Sequence, residues 1–515
     1  MASPCFSALL FTLTSASLVL AAPTQLQEKV RTWRASEERT LIDEYRAFVA
    51  IPNITIDRAN IRRNADFILE MMRRRGIAAR LLTVASANSN PVVFGEVKVP
   101  GATRTIMLYA HFDGQPVNPS QWAPGWEPFA PKFATAPAEQ GGKIIEGWKS
   151  GDPIDPQWRL TGRGAADDKA GVMTLLNAYS ALVATGTAPT ANLKFFFDGE
   201  EEIGSVSLRE IIATHRDLLR ADLWLILDGP CHPAGKKSVI FGVRGSANLG
   251  LTVFGPKRPL HSGNYGNWAP NPSQLLVNLL ASMKDDEGRV LVKGFYDDVK
   301  SLSAAERKAI AEIPSVEEEL KRDLGLAQSE VPGRTLFAGF TLPVLNINGI
   351  QGANVGAQAA NIIPTIARAA LNLRLVPGND AQRHISLVIE HIKSRGWHVL
   401  LDRDPTEEER ARHARLIRVD ARSAGTNAQR TPLDLPIAQA VVAAVQLTVD
   451  YPVVLQPSLG GTLPLITIEE MLGAKVLTVP IVNSDNNQHA ENENVKVQFL
   501  WDGIETYAAL MTMPR

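Results

Sequence analysis

Two cysteines in 515 residues, Cys5 and Cys231, leave almost no scope for a disulfide framework. The first falls within Met1 to Ala22, whose apolar stretch, Phe6 to Leu20, closes on Val19-Leu20-Ala21-Ala22-Pro23 and reads as a secretory signal with small residues at the cut. Residues 1–22 are therefore expected to be a signal peptide, and the protein to be exported, either periplasmic or secreted. Cleavage would leave Cys231 alone, so export here brings no internal disulfide. An excess of charge is missing as well: 53 Lys and Arg stand against 54 Asp and Glu, a net charge of −1. Nucleic acid and anionic membranes both attract a basic field, and neither is expected as a partner. Internal repeats, low-complexity tracts and internal transmembrane runs are absent, so no stable membrane insertion is expected after cleavage of the leader. Asn53-Ile54-Thr55 has the pattern of a glycosylation acceptor.

The length exceeds that at which a single core keeps growing, which predicts two domains. Amphipathic periodicity predicts helices over Ser36–Phe48, Asn60–Arg75 and the segment from Lys169 to Gly186, with strands at Ala79–Val84 and Pro91–Val97. Trp122 to Trp158, rich in Pro, Gly and Trp, reads as an irregular loop. Past Asp228 the pattern changes to a βαββαβ-like order, which predicts an inserted domain on an antiparallel sheet over 241–428, flanked by a catalytic α/β domain over 26–240 and 429–515. The charged runs Lys300–Gly325 and Thr406–Arg422 read as solvated segments of that insertion.

Chemistry concentrates where apolar runs end. Leu108-Tyr109-Ala110 leads into His111-Phe112-Asp113, Leu193–Phe197 into Asp198-Gly199-Glu200-Glu201-Glu202, Leu223–Leu227 into Asp228, and Val476–Val482 into the loop of His489. Ligands converging from the carboxyl ends of several strands are how an open α/β sheet builds an active site. The turn Gly162–Lys169 adds Asp167. A set of two His and three carboxylates suits two divalent ions, zinc first. Asp167, in a Gly-flanked turn that backbone can approach closely, is the natural bridge. His111 and Asp228 then serve one metal, Glu202 and His489 the other. Glu201 can act as general base, and Asp113 can fix the tautomer of His111.

These motifs, with Glu201-Glu202-Ile203-Gly204-Ser205, His261-Ser262-Gly263 and His489-Ala490-Glu491-Asn492-Glu493, together resemble the M20 metallopeptidases: carnosinase-like dipeptidases, glutamate carboxypeptidases and acyl-amino-acid deacylases. The resemblance implies an α/β catalytic domain of the dizinc-exopeptidase type with an inserted ferredoxin-like α+β lid that also forms a homodimer. It implies two divalent ions, zinc ahead of manganese or cobalt, on the five ligands named above, with Glu201 as base. It implies a cis peptide after Asp167. It further assigns His261 to the oxyanion of the partner subunit's site, and Arg374, Gly461 and Thr462 to the substrate carboxylate. Asn361 stands where dipeptidase-like members often carry Thr and deacylases Asn. The expected activity is hydrolysis of the amide bond of dipeptides or short peptides with a free C-terminal carboxylate. An N-acyl-amino-acid deacylase is the alternative, and a non-catalytic binding protein on this fold the least favoured, since no ligand or base is missing.

Overall fold

The computed structural model describes residues 24–84, 89–421, 425–463 and 465–514. Residues 1–23, where the leader is expected, lie outside it, and among the described residues no helix is long and apolar enough to cross a membrane.

The large sheet has eight strands, ordered Ala78–Leu82, Val92–Val97, Asn192–Asp198, Thr105–His111, Leu223–Ile226, Lys475–Thr478, Ser238–Ile240 and Val454–Gln456. Its four central members, from Asn192–Asp198 to Lys475–Thr478, run parallel. They read as continuous apolar runs because both faces are covered, and a period of two divides each strand between two cores. Ile106, Leu108, Phe195, Phe197, Leu223 and Leu225 join one core with the helices Gln25–Val49, Lys169–Ala184 and Val497–Met511. Met107, Tyr109, Phe196, Trp224 and Ile226 join the other, under Leu208–Thr214 and Leu465–Leu472. This parallel register aligns the carboxyl ends of the four strands, so Asp198, His111, Asp228 and the His489 loop emerge on one side.

The chain leaves this sheet after Ile240 and re-enters through Gln429–Arg430, which pairs antiparallel with Gly242–Val243. Between them lies a five-stranded sheet ordered Val344–Gln351, Ile366–Leu375, Gly245–Phe254, Leu416–Asp420 and His398–Leu401. One of its faces packs on Pro272–Ala281 and Ala381–Ser394, burying Leu249, Leu251, Leu279, Leu371, Val388 and Ile417.

Three local expectations are corrected. The run Thr406–Arg422 is not wholly exposed: Leu416–Asp420 pairs with Gly250–Phe254, and Leu416, Ile417 and Val419 are buried despite their charged neighbours. The helix Ala304–Glu312 is not merely solvated, because Ala309 joins the main core and Glu306, buried, pairs with Arg430 at 2.7 Å. Trp122–Trp158 is irregular for most of its length, yet Phe133–Ala134 pairs with Arg159–Thr161, which in turn pairs with Asn494–Lys496.

Candidate active site

His111 ends its strand fully buried, with Nε2 2.9 Å from Asp167 Oδ1 and 4.0 Å from Asp228 Oδ2. Its Nδ1 faces Asp113 Oδ1 at 3.3 Å. On the other side of Asp167, Oδ2 lies 3.1 Å from His489 Nε2, which is also 3.1 Å from Glu202 Oε2. The ligand atoms fall into two groups able to hold an ion, His111–Asp167–Asp228 and Asp167–Glu202–His489, and Asp167 belongs to both.

Burial and crowding make this cluster a poor home for its own charges. Burial, with nearby carboxylates, pushes Glu201 well above the ordinary carboxylate range and Asp228 up to about 7. Burial presses Asp167 the same way, but His111 and His489 hold it below its usual value. His489 is raised to about 10 by its contacts with Asp167 and Glu202. Carboxylates held this close in low dielectric need cations among them, and imidazole nitrogens beside carboxylate oxygens are a donor set that divalent transition ions accept.

Residues beside the ligands tie together the segments that carry them. Asp113, fully buried, accepts from Thr55 Oγ1 at 2.8 Å and from the N–H groups of Glu201 and Glu202 at 3.1 Å each, and so seats the short helix Glu201–Ile203 against the His111 strand. Asp168 caps the helix Lys169–Ala184 and accepts the His111 N–H at 3.2 Å. The peptide between Asp167 and Asp168 is cis, as the resemblance implies. Gly164 has φ of 78°, and a Cβ there would come within 2.6 Å of Asn53 Nδ2. Asn53 itself is buried and donates to Phe112 O, so it is a strut of this turn and no glycan acceptor.

The run of three glutamates divides by direction. Glu200 is buried and accepts N–H groups from Asn90 and Ser207 at 2.6 and 3.0 Å, away from the cluster. Glu201 points inward, its Oε2 3.9 Å from His111 Nε2, and Glu202 reaches His489 while accepting from Gln115 Nε2 at 2.7 Å. One supporting residue escaped the sequence reading. Glu493, with no exposure, accepts the N–H groups of Ala166 and Asp167 at 2.8 and 2.9 Å and that of Gly164 at 3.0 Å, and pairs with buried Arg163 at 2.7 Å. It fixes the turn that presents the shared carboxylate.

Thr462 lines the cavity that Glu201, Glu202 and His489 open into, and Arg374 donates to Thr462 Oγ1 at 2.9 Å. Gly461 sits beside them, its carbonyl accepting the Arg244 N–H. His261 and Asn361 are brought together elsewhere. Leu260–His261 pairs with Ile362–Ile363, Ser262 N donates to Asn361 O at 2.9 Å, and both residues are exposed on the insertion, outside the metal-ligand groups.

A family model described as peptidase family M20/M25/M40 matches residues 107–513. The chain belongs to that family. The family has a dinuclear metal site, the structure gathers two groups of residues that could hold metal ions, and the protein is a metallopeptidase that hydrolyses peptide bonds. Among its relatives, the Cys-Gly metallodipeptidase of Candida albicans is 27% identical over 90% of this chain and 92% of its own. The human Beta-Ala-His dipeptidase is 25% identical over 81% of this chain and 76% of its own. The M20 metallo-carboxypeptidase Sso-CP2 of Sulfolobus solfataricus superposes with a TM-score of 0.74 at 25% identity, covering 92% of this chain and 98% of that one. Human carnosine dipeptidase 1 superposes with a TM-score of 0.73 at 23% identity, covering 95% and 99%. The catalytic-plus-lid architecture is thus the M20 fold.

The expectation of export is corrected. The Cys-Gly metallodipeptidases of yeasts, matched along most of this chain, are cytosolic and give export no support. The apolar run that suggested a leader has no Lys or Arg ahead of it, and so lacks the charged end by which a signal peptide is oriented.

Proposed function

We propose that this M20 metallopeptidase is a dipeptidase that removes a C-terminal residue bearing a free carboxylate, working with two zinc ions, for which manganese or cobalt can substitute. The observation that carries the reading is the geometry around Asp167: two ligand groups share one carboxylate, Glu201 faces them, and Thr462, which accepts a hydrogen bond from Arg374, borders the same cavity. Two divalent ions, when bound, supply Lewis acidity and lower the pKa of water. His111, Asp167 and Asp228 would hold one, and Asp167, Glu202 and His489 the other.

The chain's own residues do the rest. Arg374, steadied by Thr462, receives the substrate's terminal carboxylate and sets its scissile carbonyl beside the cluster. Glu201, whose carboxylate is made more basic by its surroundings, takes a proton from the attacking water and returns it to the leaving amine. Asp113 orients His111 and anchors the main chain of Glu201 and Glu202, so base and ligand move as one unit. His261 would complete the oxyanion site of a second subunit, with the insertion over 241–428 serving as lid and dimer contact.

The deciding experiment presents the purified, zinc-loaded chain with Cys-Gly, Beta-Ala-His and a set of Ala-Xaa dipeptides alongside the matching N-acetyl amino acids. Faster turnover of the dipeptides is expected. Cleavage of N-acetyl amino acids alone would replace this reading with that of a deacylase.

A further inference from the structure

The insertion borders a second cavity, of about 260 Å³, that shares no lining residue with the one beside Glu201, Glu202 and His489. Much of its wall is apolar, from Val290, Phe340, Leu342 and Leu345, and among the described residues two of its cations, buried Arg244 and exposed Arg334, have no ion-pair partner. Arg244 lines it with 6% of its surface exposed. Its Nε has no hydrogen-bond partner, and its one side-chain bond runs from Nη2 to Leu342 O at 3.2 Å. Lys284 and Glu330, also on the wall, neutralise each other in an ion pair. Among the described residues neither Arg244 nor Arg374 forms an ion pair, and the two lie close enough for the charge of Arg374 to act on Arg244.

Register explains why they meet. Gly245 pairs with Leu375 and Ser246 with Arg374, which puts residue 244 opposite residue 376 and diagonal to Arg374 on the same face of the sheet. The main chain ties Arg244 to the same loop as Arg374: its N–H donates to Gly461 O at 3.1 Å, and Arg374 donates to Thr462. Burial and the charge of Arg374 draw the pKa of Arg244 down to about 10. A buried cation beside a like charge is costly unless an anion arrives to answer both.

We propose that this cavity receives the side chain of the substrate's C-terminal residue and that Arg244 selects an acidic one, so that Xaa-Glu and Xaa-Asp dipeptides are the preferred class. The proposal rests on the dipeptidase reading, in which Arg374 takes the main-chain carboxylate. The second carboxylate of a dicarboxylic residue then lies within reach of the neighbouring arginine, and the aliphatic part of the side chain lies against the apolar wall.

The test compares kcat/KM for the near-isosteric pair Ala-Glu and Ala-Gln. A charge-assisted bond to a buried guanidinium predicts that the intact enzyme favours Ala-Glu roughly tenfold or more, and that Arg244→Met brings the ratio close to one while Arg244→Lys keeps part of it. Inhibition of the unmodified enzyme by the products gives a readout that needs no variant: free L-glutamate should bind more tightly than L-glutamine. Equal rates for the two dipeptides with the intact enzyme overturn the proposal, as does an Arg244→Met enzyme that keeps the Glu-over-Gln ratio. If only N-acetyl amino acids are cleaved, the dipeptidase reading fails on its own, and N-acetyl-Glu against N-acetyl-Gln still judges the cavity.

Discussion

His111, Asp167, Glu202, Asp228 and His489 stand out in the sequence only as a set: alone each could cap a helix or sit in a solvated loop, but together they follow apolar strands or a glycine-rich turn in order along the chain. Glu201 and Glu200 were harder to tell apart. Both are acidic and adjacent in sequence, and only the structure shows Glu200 buried and spending its oxygens on the N–H groups of Asn90 and Ser207 while half-buried Glu201 faces His111. Glu201→Gln is accordingly expected to lower kcat by roughly 10²–10⁴-fold while two metals per chain remain bound, measured by steady-state kinetics and elemental analysis. A near-normal rate would remove Glu201 from its role. Glu493 was invisible for a different reason: its partners are main-chain N–H groups of the Asp167 turn, which no residue pattern reveals. Glu493→Gln turns an amide toward donors that need an acceptor. Chelator competition should show metal affinity weakened by roughly 10–100-fold, and unchanged affinity would mean that the turn holds its shape without this carboxylate.

At the scale of elements, the four parallel strands were legible because burial on both faces makes them unbroken apolar runs, and their order along the chain already implied where their ends converge. The insertion was read less completely. Its helix-strand alternation shows in the sequence, but Leu416–Asp420 hides among Arg412, Arg415, Arg418 and Arg422, since a strand with one buried face keeps charges on the other. Arg418 does this literally, its guanidinium turned to Asp404 and Asp420 while Ile417 and Val419 enter the core. Ile417→Ala should therefore cost about 2–5 kcal/mol, seen as a lowered denaturant midpoint. A change within about 0.5 kcal/mol would return the segment to the exposed run that its charges suggest.

The whole molecule poses a problem that a single chain does not solve. His261 lies on an exposed corner of the insertion, joined to Asn361 through Ser262 and absent from the contacts of the metal-ligand groups of its own chain. Its Nδ1 is already engaged by the Gly263 N–H at 3.1 Å, which leaves Nε2 as the ring atom free to act on something outside. If that target is the oxyanion in the partner subunit's site, removing the imidazole should lower turnover by roughly 10²-fold or more with metal content intact. The arrangement then makes a prediction that no intrachain role shares. Glu201→Gln chains are dead for want of a base and His261→Ala chains for want of a donor, but a dimer containing one of each has one site in which an intact Glu201 meets an intact His261. Random mixing of the two chains should recover about a quarter of the wild-type rate per chain, because half the dimers are mixed and one of the two sites in each is complete. Recovery must follow subunit exchange, so it should appear only after dissociation and reassociation, and mass spectrometry of the intact dimers tracks the mixed species. Mixed dimers that form and stay inactive would place His261 in the service of its own chain.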